Sequence, residues 1–374
     1  MARQLNISIA AGGTAGHINP ALALAEELRA RGHSVRFFGQ STRLEATLVP
    51  QAGFDFSTIE VMGFDRSRPW TLPIAAAHTL LAQRQVGKVF ASVGEPDVAV
   101  GFGAYVETPL VRWCASHKVP YALHEQNSVP GLANKMAARK ASALCLSFPA
   151  AAKAFEGLVG SQTKVCVTGN PVRGSVVSAR REDGRKLLGI ADDETLLLVF
   201  GGSLGARHLN RGVTALKDKI LACPNLRIIH STGRDEYDSV VSALALSEEE
   251  AARWRVMPYI DDMGHALAAA DLVLSRAGAS SVAEIAAKAV PSILVPYPFA
   301  TADHQTTNAH LLVDEGAAEL LPDDQIDTPA FEETLLGLIG DAARRDAMRT
   351  AAQGLAQDRA ASALADAVES IARA

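Results

Sequence analysis

Short apolar runs punctuate the first half of the chain at LNISIAAG, SVRFFG, PDVAVGFG, VPYALHEQN and SALCLSF, and stretches with helical spacing of apolar residues separate them. Strand-length runs alternating with helix-length ones predict βαβ units on a parallel sheet. The first helix is predicted from about Pro20 to Arg31, with Asn19 as N-cap, proline at the first helical position and Gly32 just past the end. Beyond Val167 the rhythm lapses into TGNPVRGSVVSARREDGRKLLGI, where clustered Gly, Pro and Ser give way to charge, the composition of a linker. The boundary therefore falls near Asn170 to Ser178, and TLLLVFGGS, LRIIHSTG, WRVMPYI, DLVLSRAG and PSILVPYP restart the alternation after it. The expectation is an α/β protein with two doubly wound parallel-sheet domains, residues 1–170 and 171–344. An Ala-rich helical stretch of about 345–374 has two placements open to it, a return onto the N-terminal domain or a terminal helix on the second.

A length of 374 residues exceeds what one hydrophobic core usually serves, which supports the division. At 48% hydrophobic and 21% charged residues, the composition is that of a globular protein and excludes extended disorder. The net charge of −5 provides no basic field, so nucleic acid is not an expected partner. Cys114, Cys145, Cys166 and Cys223 form no CxxC pair and have no His at ligand spacing, which suits thiols in a reducing cytosol better than a metal site. The N-terminal apolar run is too short for an export signal. The uncharged stretch Ala289 to Ala302 holds three prolines and falls short of the ~20 residues a bilayer span needs, so any membrane contact is expected to be peripheral.

Candidate chemistry concentrates where strands end. Gly12-Gly13-Thr14-Ala15-Gly16 closes the first strand of one half, Gly201-Gly202-Ser203-Leu204-Gly205 closes the first strand of the other, and Gly101-Phe102-Gly103-Ala104-Tyr105 forms a third loop of this kind. Glycine lets the backbone approach a ligand closely, and the helix that follows offers free amides and its positive dipole end to phosphates or sugar hydroxyls. One such loop reads equally well as a tight turn. Three of them in paired domains point to ligand contact in a cleft, because open α/β sheets bind at the carboxyl ends of their strands. GGTAGH departs from GxGxxG, SVRFFGQ ends without the acidic residue that holds an adenosine ribose, and no GxxxxGK[ST] occurs, which disfavours dinucleotide and P-loop chemistry.

His17, directly after the first glycine loop, is the candidate general base; its alternative is a structural bond to the helix end. In SRAGASSVAEIAA a strand end at Ser275 leads through Gly278 into a helix. Its first amides, with Ser280 and Ser281, suit a diphosphate held without metal, and Glu284 one turn in suits two ribose hydroxyls. Plain complementarity to the helix dipole is the alternative for Glu284. Asp261-Asp262 reads as a helix-start pair and not as a metal-holding acidic motif, while Asp303-His304-Gln305 with Asn308 reads either as a sugar-recognising loop or as a polar helix cap.

The segments GGTAGHINPALALA, GFGAYVETP, HEQNSVPGLANK, GNPVR, GGSLGARHLN, YIDDM, SRAGASSVAEIAA and DHQTTNA, in this order over nearly the whole chain, resemble the MurG family of UDP-N-acetylglucosamine transferases, which convert lipid I to lipid II. The resemblance implies the GT-B fold, two Rossmann-like domains facing a cleft, with no cofactor and no metal. It implies donor contacts at Ser203, Arg173, Ile260 through its backbone to uracil, Ala279, Ser280, Ser281 and Val282, with Glu284 on the ribose and Gln305 on the sugar. Thr14, Ala15, Gly16 and Asn127 fall where the family closes over donor sugar and acceptor, Gly103, Ala104 and Tyr105 at the acceptor diphosphate, and His17 at the catalytic histidine. Ala15, Leu204 and His304 depart from the family, which often has glycine at the first position and glutamine at the second, and in some members glutamine at the third.

The implied reaction is an inverting displacement in which the acceptor's 4-hydroxyl attacks the anomeric carbon and UDP leaves. GFDRSRPWTLPIAAAHTLLAQRQVGK carries Arg66, Arg68, Trp70, Leu72, Ile74, Arg84 and Lys88. It reads as a surface for anionic lipid at the cytoplasmic membrane face or as an ordinary amphipathic helix. The expected partners are UDP-N-acetylglucosamine, lipid I, the membrane surface and other cell-wall synthesis proteins. A UDP-N-acetylglucosamine 2-epimerase, a glycolipid glucosyltransferase and a non-catalytic nucleotide-sugar sensor are the rival readings; the first needs no lipid acceptor, and the last binds without turnover.

Overall fold

The computed structural model describes residues 3–63, 72–202 and 205–373. It forms two compact units, Met1–Arg173 together with Asp358–Ala374, and Gly174–Gln357. In the first, β1 (Asn6–Ala10), β2 (Ser34–Gly39), β3 (Asp55–Thr58), β4 (Val98–Gly101), β5 (Tyr121–Glu125), β6 (Ala143–Leu146) and β7 (Lys164–Val167) make one parallel sheet in the order β3-β2-β1-β4-β5-β6-β7. β4, β5 and β6 are buried along their whole length, which is why they read as unbroken apolar runs: a parallel sheet is covered on both faces. The order reverses at the β1/β4 pair, where Ala10 stands beside Gly101, so the turns leaving these two strands flank the switch point. One face buries Ile7, Ile9, Phe37 and Val100 with Leu24 and Leu28 of the helix Ala15–Ala30 and Leu364 and Val368 of the helix Ala360–Ile371. The other buries Phe38, Ala99 and Leu123 with Val86 and Phe90 of the helix Leu72–Val93 and Trp113 of the helix Glu107–His117.

In the second unit β8 (Thr195–Phe200), β9 (Leu226–Ser231), β10 (Trp254–Met257), β11 (Leu272–Ser275), β12 (Ser292–Leu294) and β13 (Ala318–Leu320) are again all parallel, in the order β10-β9-β8-β11-β12-β13. Counted from each unit's own first strand, the first six strands of both sheets share one doubly wound order. Leu197, Val199, Leu272 and Leu274 from the central strands pack with Leu209, Val213, Trp254 and Phe331.

Two expectations need correction. The first helix begins at Ala15 with Thr14 in extended backbone as its N-cap, so Asn19 and Pro20 lie inside it. Pro20 falls just past the first turn, where it forfeits the bond its nitrogen would donate toward residue 16 and crowds that carbonyl, a local cost that does not keep the helix from starting at Ala15. The C-terminal stretch divides: the helix Ala342–Ala352 stays with the second unit, and the return to the first begins at Asp358, later than residue 345. The burial of Leu364, Ala365 and Val368 among the first unit's core side chains is the physical reason for the return. Among the described residues no helix is long and apolar enough to cross a membrane.

Candidate active site

The first unit's loops are each tied from below by a carboxylate that the sequence reading passed over. Gly13 adopts φ +87°, a left-handed turn that glycine takes without strain. Its N–H donates to Glu45 Oε2 at 3.0 Å, and the N–H of Gln40, just past β2, donates to Glu45 Oε1 at 3.1 Å. Glu45 is fully buried, and a Cβ on Gly12 would stand 2.4 Å from its Oε1, so the glycine leaves room for the carboxylate. The loop then delivers Thr14 to the helix N-terminus, where Thr14 Oγ1 and His17 Nδ1 lie 3.1 Å apart. With the hydrogen on Nδ1 and the hydroxyl accepting it, the lone pair of His17 is on Nε2, the nitrogen a base would use.

The loop after β4 comes to the same place. Gly103 and Ala104 are both left-handed, at φ +75° and +60°, and a Cβ on Gly103 would sit 3.6 Å from His17 Nε2 and 3.4 Å from Asn134 Nδ2. Beneath the loop, fully buried Glu107 accepts the Gly103 N–H at 2.7 Å. Burial, first of all, pushes its carboxyl group up to about 8; the neighbouring Glu125 adds to this and the Gly103 amide opposes it. Tyr105 packs its ring against Gly63 and donates its hydroxyl to Gln40 Oε1 at 2.9 Å. Glu125, at the end of β5, accepts the N–H of Asn127 at 3.0 Å, the N–H of Gly131 at 3.0 Å and Nδ2 of Asn134 at 2.8 Å. Burial raises Glu125 while these donors lower it. Thr14, Ala15, Gly16, His17, Gly103, Ala104, Tyr105 and Asn127 thus line strand ends of one sheet. Asn134, which the sequence reading did not single out, joins them at Gly103.

In the second unit the glycine loop after β8 is close-packed: a Cβ on Gly205 would stand 2.2 Å from the Thr232 carbonyl oxygen. Ser203 and Leu204 lie outside the described residues. The turn after β11 leads through Gly278, whose extended backbone is the N-cap, into the helix Ala279–Ala287, so Ala279, Ser280, Ser281 and Val282 lie at the helix's positive end. Glu284 is buried one turn further in. Gln305 Oε1 accepts the N–H of Ala277 at 3.2 Å and that of Tyr297 at 2.9 Å. This stitches the turns after β11 and β12 together. Just before it, Ala302 and Asp303 adopt φ +51° and +53°, left-handed backbone that non-glycine residues reach only with strain, and such strain gathers at binding sites. Ile260 is buried ahead of the helix Met263–Ala269, which Asp262 caps by accepting the His265 N–H at 3.1 Å. Arg173 is the last residue of the first unit's main segment and so stands apart in sequence from the rest of the expected donor set.

The helix Leu72–Val93 exposes Ile74, Leu80, Leu81, Arg84 and Lys88. Arg66, Arg68 and Trp70 lie outside the described residues, as does the side chain of Leu72. Among the described residues no group of three or more His, Cys, Asp or Glu side chains gathers as a metal site.

Two Rossmann-like parallel sheets of one doubly wound order place the chain in the GT-B fold class, and the family matches make it a nucleotide-sugar glycosyltransferase. Residues 7–145 match the glycosyltransferase family 28 N-terminal domain and residues 196–369 the C-terminal domain of that family. The chain is 41% identical, over 96% of each chain, to the UDP-N-acetylglucosamine–N-acetylmuramyl-(pentapeptide) pyrophosphoryl-undecaprenol N-acetylglucosamine transferase of Nitratidesulfovibrio vulgaris strain Hildenborough. It is 36% identical to the enzyme of the same name from Halothermothrix orenii, covering 97% of this chain and 98% of that one. The crystal structure of Acinetobacter baumannii MurG superposes with a TM-score of 0.71 at 28% identity, over 98% of this chain and all of that one. A putative UDP-N-acetylglucosamine 2-epimerase from Listeria monocytogenes reaches a TM-score of 0.70 at 14% identity, a likeness of fold alone. The chain belongs to the MurG family of glycosyltransferase family 28.

Proposed function

We infer that this chain transfers N-acetylglucosamine from UDP-N-acetylglucosamine to the muramyl sugar of undecaprenyl-pyrophosphoryl-N-acetylmuramyl-pentapeptide, lipid I, giving lipid II. The family membership carries the reaction, and the meeting of His17, the glycine loops and Asn134 at one end of the first sheet is the observation that supports a catalytic unit. In this reading the second unit takes the donor. The start of the helix at Ala279, Ser280, Ser281 and Val282 receives the diphosphate, Glu284 the ribose hydroxyls, the Ile260 backbone the uracil and Gln305 Nε2 the sugar, with Ser203 and Arg173 as further contacts. The first unit takes the acceptor, its diphosphate on Gly103, Ala104 and Tyr105, while Thr14, Ala15, Gly16 and Asn127 address the sugars.

The acceptor's 4-hydroxyl oxygen forms a bond to the anomeric carbon as that carbon's bond to the β-phosphate oxygen breaks. The hydroxyl proton passes to His17 Nε2, and the leaving charge of UDP falls on the helix N-terminus at Ala279. The sugar's configuration is inverted by this single displacement. The exposed apolar and basic residues of the helix Leu72–Val93 support peripheral docking on an anionic lipid surface, where the acceptor resides, at the cytoplasmic face beside other cell-wall synthesis proteins.

UDP release by the purified protein, measured with and without a soluble short-chain lipid I analogue, tests the reading. Acceptor-dependent release that falls about 10²- to 10⁴-fold in His17→Ala is expected for loss of a general base. Turnover of donor alone refutes it in favour of an epimerase or hydrolase, and binding without turnover in favour of a sensor.

A further inference from the structure

We propose that Glu107 is the positioning residue of the acceptor loop: its buried carboxyl group fixes the Gly103 amide, and its charge state governs how well the loop receives a pyrophosphate. This rests on the reading of Gly103 to Tyr105 as the acceptor's diphosphate site. Two successive left-handed residues, one of them an alanine, persist only where the surroundings over-determine them. Glu107 supplies that constraint. It opens the helix Glu107–His117, turns back to take the Gly103 N–H at 2.7 Å, and occupies the space a Cβ on Gly101 would need, 2.3 Å away. Its second oxygen, Oε1, is buried with no hydrogen-bond partner among the described residues. The carboxyl group is therefore built into the loop's floor and does not reach solvent.

Among the described residues the groups that act on it include no cation. Glu125 and Tyr121 face it from β5; Asn134 and His17 lie around Gly103; and the helix Leu72–Val93 meets its helix through Gly87 and Phe90, which pack against Trp113. Held up to about 8 by burial, Glu107 is neutral at pH 7, and the loop amides and the helix dipole then face a pyrophosphate unopposed. Above that pH the carboxylate sets a like charge directly beneath the anion. At ~7 Å and an effective dielectric of ~20, this weakens acceptor binding about tenfold or more.

The test is steady-state kinetics of the full chain with a soluble short-chain polyprenyl-pyrophosphoryl-muramyl-pentapeptide, from pH 6.5 to 9.5, on wild type, Glu107→Gln, Glu107→Ala and Ala104→Asp. In wild type the acceptor KM is expected to rise about tenfold through pH 8 while the donor KM stays level. Glu107→Gln keeps an oxygen for Gly103 but cannot ionise, so it should match wild type at pH 7 and lose the alkaline rise. Glu107→Ala should raise the acceptor KM at every pH; if it fails to fold, the glutamine profile decides alone. An unchanged alkaline rise in Glu107→Gln, or an acceptor KM that moves in step with the donor KM, overturns the proposal. Ala104→Asp separates the two layers. If it raises the acceptor KM while both Glu107 variants behave as wild type, the acceptor site stands and the role of Glu107 falls; if no variant shifts the acceptor KM, the site itself is misassigned.

Discussion

Glu45→Gln should damage this protein almost as much as Glu45→Ala, although the two side chains before and after the first change have the same shape. Each carboxylate oxygen of Glu45 serves one loop amide, Gly13 at 3.0 Å and Gln40 at 3.1 Å. Hydrogen bonds to a charged group contribute about 1.5 to 3 kcal/mol each, so alanine, after water recovers part of the loss, should cost about 2 to 4 kcal/mol. Glutamine retains one oxygen but must turn an NH₂ toward the other amide, donor against donor in a site with no exposure, and should cost about 1.5 to 3 kcal/mol. Because this loop delivers Thr14 and His17, turnover should fall about tenfold or more in both variants, as misplacement of a catalytic group commonly does. Urea unfolding gives the stability change, and amide hydrogen exchange over residues 11–14 and 39–41 shows whether the loss is local. A glutamine variant within about 0.5 kcal/mol of wild type, with unchanged exchange at Gly13 and Gln40, refutes the clamp.

Leu364→Ala tests the returning helix. The residue is fully buried in the first unit's core, so the variant should lose about 2 to 5 kcal/mol in urea unfolding, and exchange should quicken in the first unit with no change in the second. The protein should also weaken in mild acid. Burial pushes His124 and His230 down to about 4, so between pH ~6.5 and ~4 the unfolded chain binds protons that the native state refuses. Stability is then complete above pH 6.5 and lost on acidification, by about 3 kcal/mol for each histidine below pH 4. Urea midpoints independent of pH over this range would contradict the neutral, buried state of both rings.

The paired parallel-sheet architecture and the left-handed glycine turns after β1 and β4 were legible in the chain because their signals are local. A buried parallel strand is an apolar run, a left-handed turn selects glycine, and a helix that starts at a strand end brings free amides with it. The edge strands DFST and KVCV escaped the reading because each has only one neighbour and stays partly exposed, which erases the apolar run. Pro20 misled for a related reason: its preference for the first helical position is real but weak beside a Thr14 already in cap geometry.

What only the tertiary structure decided is where the carboxylates lie. Glu45 and Glu107 each open a helix, and there an acidic residue reads as complementarity to the dipole with its charge in water. Both are buried, and Glu45 reaches an amide 32 residues away. The same holds for the helix Ala360–Ile371, whose pattern specifies an apolar face but not which unit's sheet receives it. Periodicity and turn chemistry are properties of neighbours along the chain, so the sequence alone determined the elements and the class. Burial and long-range pairing depend on which surfaces meet, and only the folded chain settles that.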